Sequence, residues 1–185
     1  PESTTPLLRL ATTRLREAPR PPRLCYVQDI LEYQDVEQPS LAQVTQAGVE
    51  LLGEASAMAD AEVIALAIEI LRSVGLEHFL IDIGQSEFFR GLLEEAGFSK
   101  AQEDQLLDYV EAKNMLGIEL FLQTADVSKE MRKWLLKLPS LYGGEEVLEQ
   151  ARTMSGGLIR CQRAVDRLAQ VLDALYAMGL KQFVS

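Results

Sequence analysis

The segment from Ala42 to Leu52, AQVTQAGVELL, alternates in character: Gln46, Gly48 and Glu50 fall on one side of an extended chain, and Ala47, Val49 and Leu51 on the other. At about 3.3 Å per residue, Gln46 and Glu50 stand roughly 13 Å apart, with the side-chain-free Gly48 between them. An amide, a gap and a carboxylate on one surface make a floor suited to a small polar ligand. Both groups offer acceptors to N–H donors.

Other chemistry-bearing residues are sparse. His78 is the single histidine; it has no His or Cys companion at ligand spacing and no Ser or Cys partner to activate. It is expected on the surface or half-buried in a strand. The two cysteines, Cys25 and Cys161, form no CxxC pair and are each expected as small buried apolar residues, consistent with a reducing compartment. No Gly-rich phosphate-cradling motif occurs, so Gly143-Gly144 and Gly156-Gly157 are expected as turns. The pattern holds no metal-ligand set and asks for no cofactor.

The elements that must position the floor are legible from periodicity. Leu24 to Tyr33 is a second strand-like run, joined to Ala42–Leu52 by a polar connector holding Asp35, Glu37, Pro39 and Ser40. Ahead of it, Thr4 to Arg16 carries one apolar stripe, Leu7, Leu8, Leu10, Ala11 and Leu15, and is expected as a helix capped by Thr4 or Thr5. Ala57 to Val74 is expected as a helix stopped by Gly75, with Asp60 and Glu62 suiting its positive end. Phe79 to Ile83 is expected as a buried strand of the same sheet.

From Ser86 the pattern turns to short amphipathic helices: Ser86 to Ala96, one capped by Ser99, then pieces near Leu116 to Gln123, Ser128 to Leu138 and Glu145 to Thr153. Trp134 and Tyr142 around Leu135, Leu136 and Leu138 are expected in the core. A long helix, Leu158 to Met178, closes the series and leads to an incipient strand at Lys181 to Ser185. Three segments follow: 1–85 with the two strands, 86–155 as a helical insertion, and 156–185 as a return helix and the start of a core strand. The chain reads as a fragment of a longer protein.

With 185 residues, 48% of them apolar, the chain can bury a sizeable core. A net charge of −10 argues against a nucleic-acid-binding surface, since phosphate contacts need clustered Lys and Arg. No apolar run reaches the roughly 18 residues that a membrane-spanning helix needs, and no secretory leader pattern opens the sequence. A cytoplasmic location, with no nucleic-acid or membrane partner, is the expectation.

The spacing from Tyr26 through both strands to Gln46-Ala47-Gly48-Val49-Glu50-Leu51-Leu52-Gly53, followed by ADAEVIAL at Ala59 to Leu66, resembles the second signature motif of class II aminoacyl-tRNA synthetases in their histidyl branch. The opening Pro1-Glu2-Ser3-Thr4 is similar to the R-P-E-x-T segment of that branch. The resemblance implies an α+β fold, an antiparallel sheet flanked by helices with a helical insertion. It also implies a histidine pocket formed by Glu2, Thr4, Gln46 and Glu50.

Two departures carry the functional expectation. Glu32 stands where the synthetases keep the arginine that grips carboxylate and phosphate during adenylate formation, and Ser40-Leu41-Ala42 replaces their R-Y-R. Two unit charges about 4 Å apart interact by roughly 4 kcal/mol at an effective dielectric near 20. An anion in place of a cation therefore turns assistance into repulsion. The regulatory subunits of ATP phosphoribosyltransferase combine this fold with loss of that arginine, and the L-P-x-L-x-G pattern at Leu138 to Gly143 resembles theirs. The resemblance implies a non-catalytic regulator in the first step of histidine biosynthesis. Such a subunit activates a short catalytic subunit in a hetero-oligomer, self-associates, and transmits allosteric feedback by histidine. A divergent histidyl-tRNA synthetase, or another synthetase-like histidine-binding module, is the alternative.

Overall fold

The computed structural model describes residues 3–33 and 41–185, and the chain falls into two compact units, Pro1–Ile70 and Leu71–Ser185. The fold class is α+β, as expected.

The first unit holds α1 (Thr4–Thr12), β1 (Arg23–Tyr33), β2 (Leu41–Leu51) and most of α2 (Ala57–Ser73). β1 and β2 form an antiparallel ribbon in a register that pairs Leu24 with Glu50, Tyr26 with Gly48 and Gln28 with Gln46. Directly opposed residues share a face. One face therefore gathers Tyr26, Gln28, Gln46, Gly48 and Glu50. On the other, Asp29 accepts from Thr45 Oγ1 at 2.6 Å and Gln43 Nε2 at 2.7 Å, bonds that hold its carboxyl below the ordinary range.

The first helix is shorter than its apolar stripe predicts. Thr12 and Thr13 are consecutive β-branched residues whose hydroxyls donate back to Leu8 O at 2.9 Å and Arg9 O at 2.6 Å. That local competition for carbonyls ends α1 at Thr12. Glu62 in α2 does more than complement the helix end. It accepts from Arg23 Nε at 2.5 Å and Nη2 at 2.8 Å, tying the head of β1 to α2, and the guanidinium holds its carboxyl below the ordinary value.

The second unit contains α3 (Ser86–Ala96), α4 (Lys100–Glu111), α5 (Met115–Thr124), α6 (Lys129–Lys137), α7 (Glu145–Met154) and α8 (Ile159–Ala177), with 3-10 turns at Leu138–Ser140 and Lys181–Phe183. Its core runs from Phe88, Leu92 and Leu106 through Ile118, Leu122 and Leu135 to Cys161 and Val165. The expected helices are present within a residue or two of their predicted ends. Gln85 caps α3, its side-chain oxygen accepting from Glu87 N at 3.0 Å. Ser99 and Gln102 form a capping box on α4.

Close approach of α3 and α8 depends on Gly91. A Cβ there would sit 2.7 Å from Cys161 Sγ, and that thiol donates to Phe88 O at 3.4 Å. Burial pushes the Cys161 thiol up to about 11. Arg160, the preceding residue, spans the same two helices by bonding Glu87 at 2.7 Å and Glu94 at 2.7 Å.

Several expectations need correction. Phe79 to Ile83 is not a strand of the β1–β2 sheet: within the second unit Ile81 makes one parallel bridge to Val184, and Leu80 is 60% exposed. Lys181 to Ser185 correspondingly forms a 3-10 turn before that bridge. Tyr142 is exposed under the Lys113 ammonium, 5.0 Å from its ring centroid, whereas Trp134 packs on the core. Cys25 lies exposed in β1, because its alternation places it on the outer face of the ribbon. His78, by contrast, is on the surface as one of its two expected placements had it, exposed in a bend.

Candidate functional site

The floor predicted around Gln46 and Glu50 is closed from one end by the start of α1. Along that helix Thr4, Leu7 and Ala11 recur at helical spacing, and Leu7 and Ala11 are half-buried and buried. Thr4 shares their inward face. Its hydroxyl donates to Glu50 Oε1 at 2.8 Å, joining the helix start to β2. Thr4 is the first helical residue; the residue at the cap position is Ser3, whose side chain makes no cap bond.

Ser3 is instead drawn into the site. Only 1% exposed, it accepts a hydrogen bond from Gln28 Nε2 and donates to Gln46 Oε1 at 3.4 Å. Tyr26 donates its phenol to the same Gln46 oxygen at 3.4 Å. These two bonds are long for O–H donors and correspondingly weak singly. Together they fill both acceptor positions of the amide oxygen.

The space above Gly48 belongs to Tyr26. A Cβ at Gly48 would fall 2.3 Å from both Cζ and Oη of that ring, so the glycine admits the aromatic and leaves no open gap for a ligand. Of the four residues assigned to the pocket by resemblance, the structure brings Thr4, Gln46 and Glu50 together, while Glu2 lies outside the described residues. Glu32 pairs with Ala42 in the strand register; the side chains of both are also outside the described residues.

Ser3, Tyr26 and Gln28 are the site residues that sequence reasoning missed. The signal that finds two of them is register: Tyr26 opposes Gly48 and Gln28 opposes Gln46. That register depends on where the connector turns, which alternation within one strand does not fix.

Chemically, the cluster is a recognition surface. A carboxylate held by one hydroxyl suits a ligand with ammonium or N–H groups, while an amide whose oxygen already accepts from two hydroxyls has its NH2 left to offer an acceptor. The hydroxyls of Ser3, Thr4 and Tyr26 each donate to an oxygen, and no histidine activates any of them among the described residues. Among those residues no group of three His, Cys, Asp or Glu side chains could hold a metal.

The sequence pattern of the histidyl-tRNA synthetase family matches residues 1–184. The chain belongs to the histidyl-tRNA synthetase family. Within that family it is 38% identical over 186 residues to the ATP phosphoribosyltransferase regulatory subunit of Ruminiclostridium cellulolyticum, covering 100% of this chain and 44% of that protein. The corresponding subunit of Acetivibrio thermocellus is 35% identical over 185 residues, with the same coverage of 100% and 44%. Among solved structures, a Bacillus halodurans protein described as an ATP phosphoribosyltransferase regulatory subunit/histidyl-tRNA synthetase superposes with a TM-score of 0.90 at 30% identity, over 100% of this chain and 47% of that one. A histidine–tRNA ligase subunit from Alicyclobacillus acidocaldarius superposes with a TM-score of 0.75 at 21% identity, over 100% of this chain and 57% of that one, which bears on the fold alone. The chain spans about half the length of the curated relatives it matches. Leu138, Pro139, Leu141, Tyr142 and Gly143 line an apolar hollow of about 530 Å³ in the second unit, together with Val147.

Proposed function

We propose that this chain is part of a regulatory subunit of ATP phosphoribosyltransferase, a family member that recognises an amino acid without activating it. Full-chain similarity to curated subunits of that name, at 35% to 38% identity, supports the assignment. The observation that carries the loss of activation is in the sequence: Glu32 stands where adenylate formation calls for an arginine. An anion beside an incoming triphosphate opposes its approach.

In this reading Glu2, Thr4, Gln46 and Glu50 form a histidine pocket on the β1–β2 ribbon, and occupancy of the pocket is the signal. Residues 86–155 are a helical insertion in the synthetase-like core of the longer protein. That protein associates with a short catalytic subunit in the cytoplasm, raises its activity and conveys feedback by histidine. Self-association completes the assembly.

The test is copurification of the full-length protein with the catalytic subunit, paired with histidine-dependent ATP–pyrophosphate exchange by the protein alone. Association without exchange is expected; exchange at synthetase rates overturns the reading. A divergent histidyl-tRNA synthetase is the second reading, favoured by the family pattern itself, and the same exchange assay decides for it.

A further inference from the structure

The side chain of Gln46 presents two faces of opposite character, an acceptor oxygen and an NH2 donor. Which face meets a ligand depends on what holds the other. Ser3 Oγ takes an N–H from Gln28, so its single proton is directed to Gln46 Oε1 at 3.4 Å. Tyr26 Oη also has one proton, and it goes to the same oxygen at 3.4 Å. With both acceptor positions filled, the planar amide turns its Nε2 the other way, and among the described residues that nitrogen has no hydrogen-bond partner.

The tyrosine reaches this place through the strand register. Tyr26 stands opposite Gly48, one alternation step along the same face from Gln46. Only glycine lets the ring lie flat there, since a Cβ would meet Cζ at 2.3 Å. The ring also covers the exposed backbone that a strand glycine leaves.

We propose that Tyr26 is a positioning residue that acts through Gln46: its phenol and the Ser3 hydroxyl hold the amide oxygen, so that the site presents a donor pair at Gln46 and an acceptor at Glu50. This rests on the pocket reading above and refines its ligand class. The bound molecule carries a hydrogen-bond acceptor, such as a carboxylate or an unprotonated ring nitrogen, toward Gln46, and an N–H group toward Glu50.

The test uses the full-length protein, labelled with ¹⁵N at glutamine side chains, with the Gln46 NH2 signal identified by its loss in Gln46→Ala. In Tyr26→Phe that signal should move and its protons exchange faster, while other glutamine signals stay in place. Gly48→Ala, which displaces the ring, should move the same signal. In titrations with L-histidine, Tyr26→Phe should weaken binding about 3- to 10-fold, the loss of one hydrogen bond. The double variant should be no weaker than Gln46→Ala alone. A double variant showing the product of the two single losses overturns the inference while leaving the pocket intact. Unchanged affinity in Gln46→Ala, or no histidine binding at all, overturns the pocket. The Gln46 signal then decides the positioning role alone, and a signal unmoved by Tyr26→Phe overturns it.

Discussion

The hydroxyl of Thr4 donates to the carboxylate of Glu50 at 2.8 Å, across 46 residues of sequence. The bond joins the first residue of α1 to the end of β2, so the helix start and the pocket floor are a single unit of structure. Replacing Thr4 by Val keeps the shape and β-branching but leaves the half-buried Glu50 without its donor. The expected loss is about 1–2 kcal/mol in folding stability, read from the denaturant midpoint, with Thr4→Ser close to the native value.

Gly48→Ala should cost about 1–3 kcal/mol, the usual range for forcing a group into filled space. The intruding methyl meets the Tyr26 ring at 2.3 Å. Removing the ring in Tyr26→Ala/Gly48→Ala should make the second substitution nearly free, so a thermal-denaturation double-mutant cycle should show strong coupling. Additive losses would mean the ring does not occupy the space above Gly48.

Gly91→Ala offers a comparable contrast at the α3–α8 crossing. Alanine gains helix propensity over glycine by up to about 1 kcal/mol, yet its methyl would lie 2.7 Å from Cys161 Sγ and 3.3 Å from the Cys161 backbone nitrogen. Overpacking should win, with a net loss of about 1–2 kcal/mol. Cys161→Ala in the same background should recover part of it.

The two cysteines should differ sharply toward a thiol reagent at pH 8. Cys25 is exposed, whereas Cys161 is buried and its thiol is pushed up to about 11. Thiolate is the reacting form. Peptide mass spectrometry after brief alkylation should find Cys25 modified and Cys161 untouched until the protein is unfolded.

Acid should weaken the fold through three ion pairs. Arg23 beside Glu62, Arg160 beside Glu87, and Lys181 beside Glu145 each hold a carboxyl below its ordinary value of 4.5. These carboxylates bind protons less readily in the folded protein than in the unfolded chain. Their contribution is therefore complete above about pH 4.5 and is lost as pH falls through the lower folded values. A thermal midpoint that declines below pH 4.5, with a shallower decline in Arg160→Met, is the expected result.

Periodicity made the helices legible because each buries one stripe, and the capping box at Ser99 and the stop at Gly97 mark ends by local chemistry. The ribbon was legible for the same reason: the alternation at Gln46, Gly48 and Glu50 survives intact in the register. Phe79 to Ile83 misled because a short apolar run has the same pattern whether it joins a sheet or makes a single bridge. In the candidate site, the strand pattern and the family resemblance pointed to Gln46, Glu50 and Thr4, which lie close together, but not to Tyr26, Gln28 and Ser3, whose contacts arise from cross-strand pairing and a helix docking against a strand. Those are long-range facts that one stretch of sequence does not carry.

The most direct measurement of the central claim is phosphoribosyl transfer by the short catalytic subunit, titrated with the full-length form of this protein. A saturable rise in rate, reversed by added histidine, is the predicted result. A rate that stays flat at every ratio of the two proteins contradicts the account.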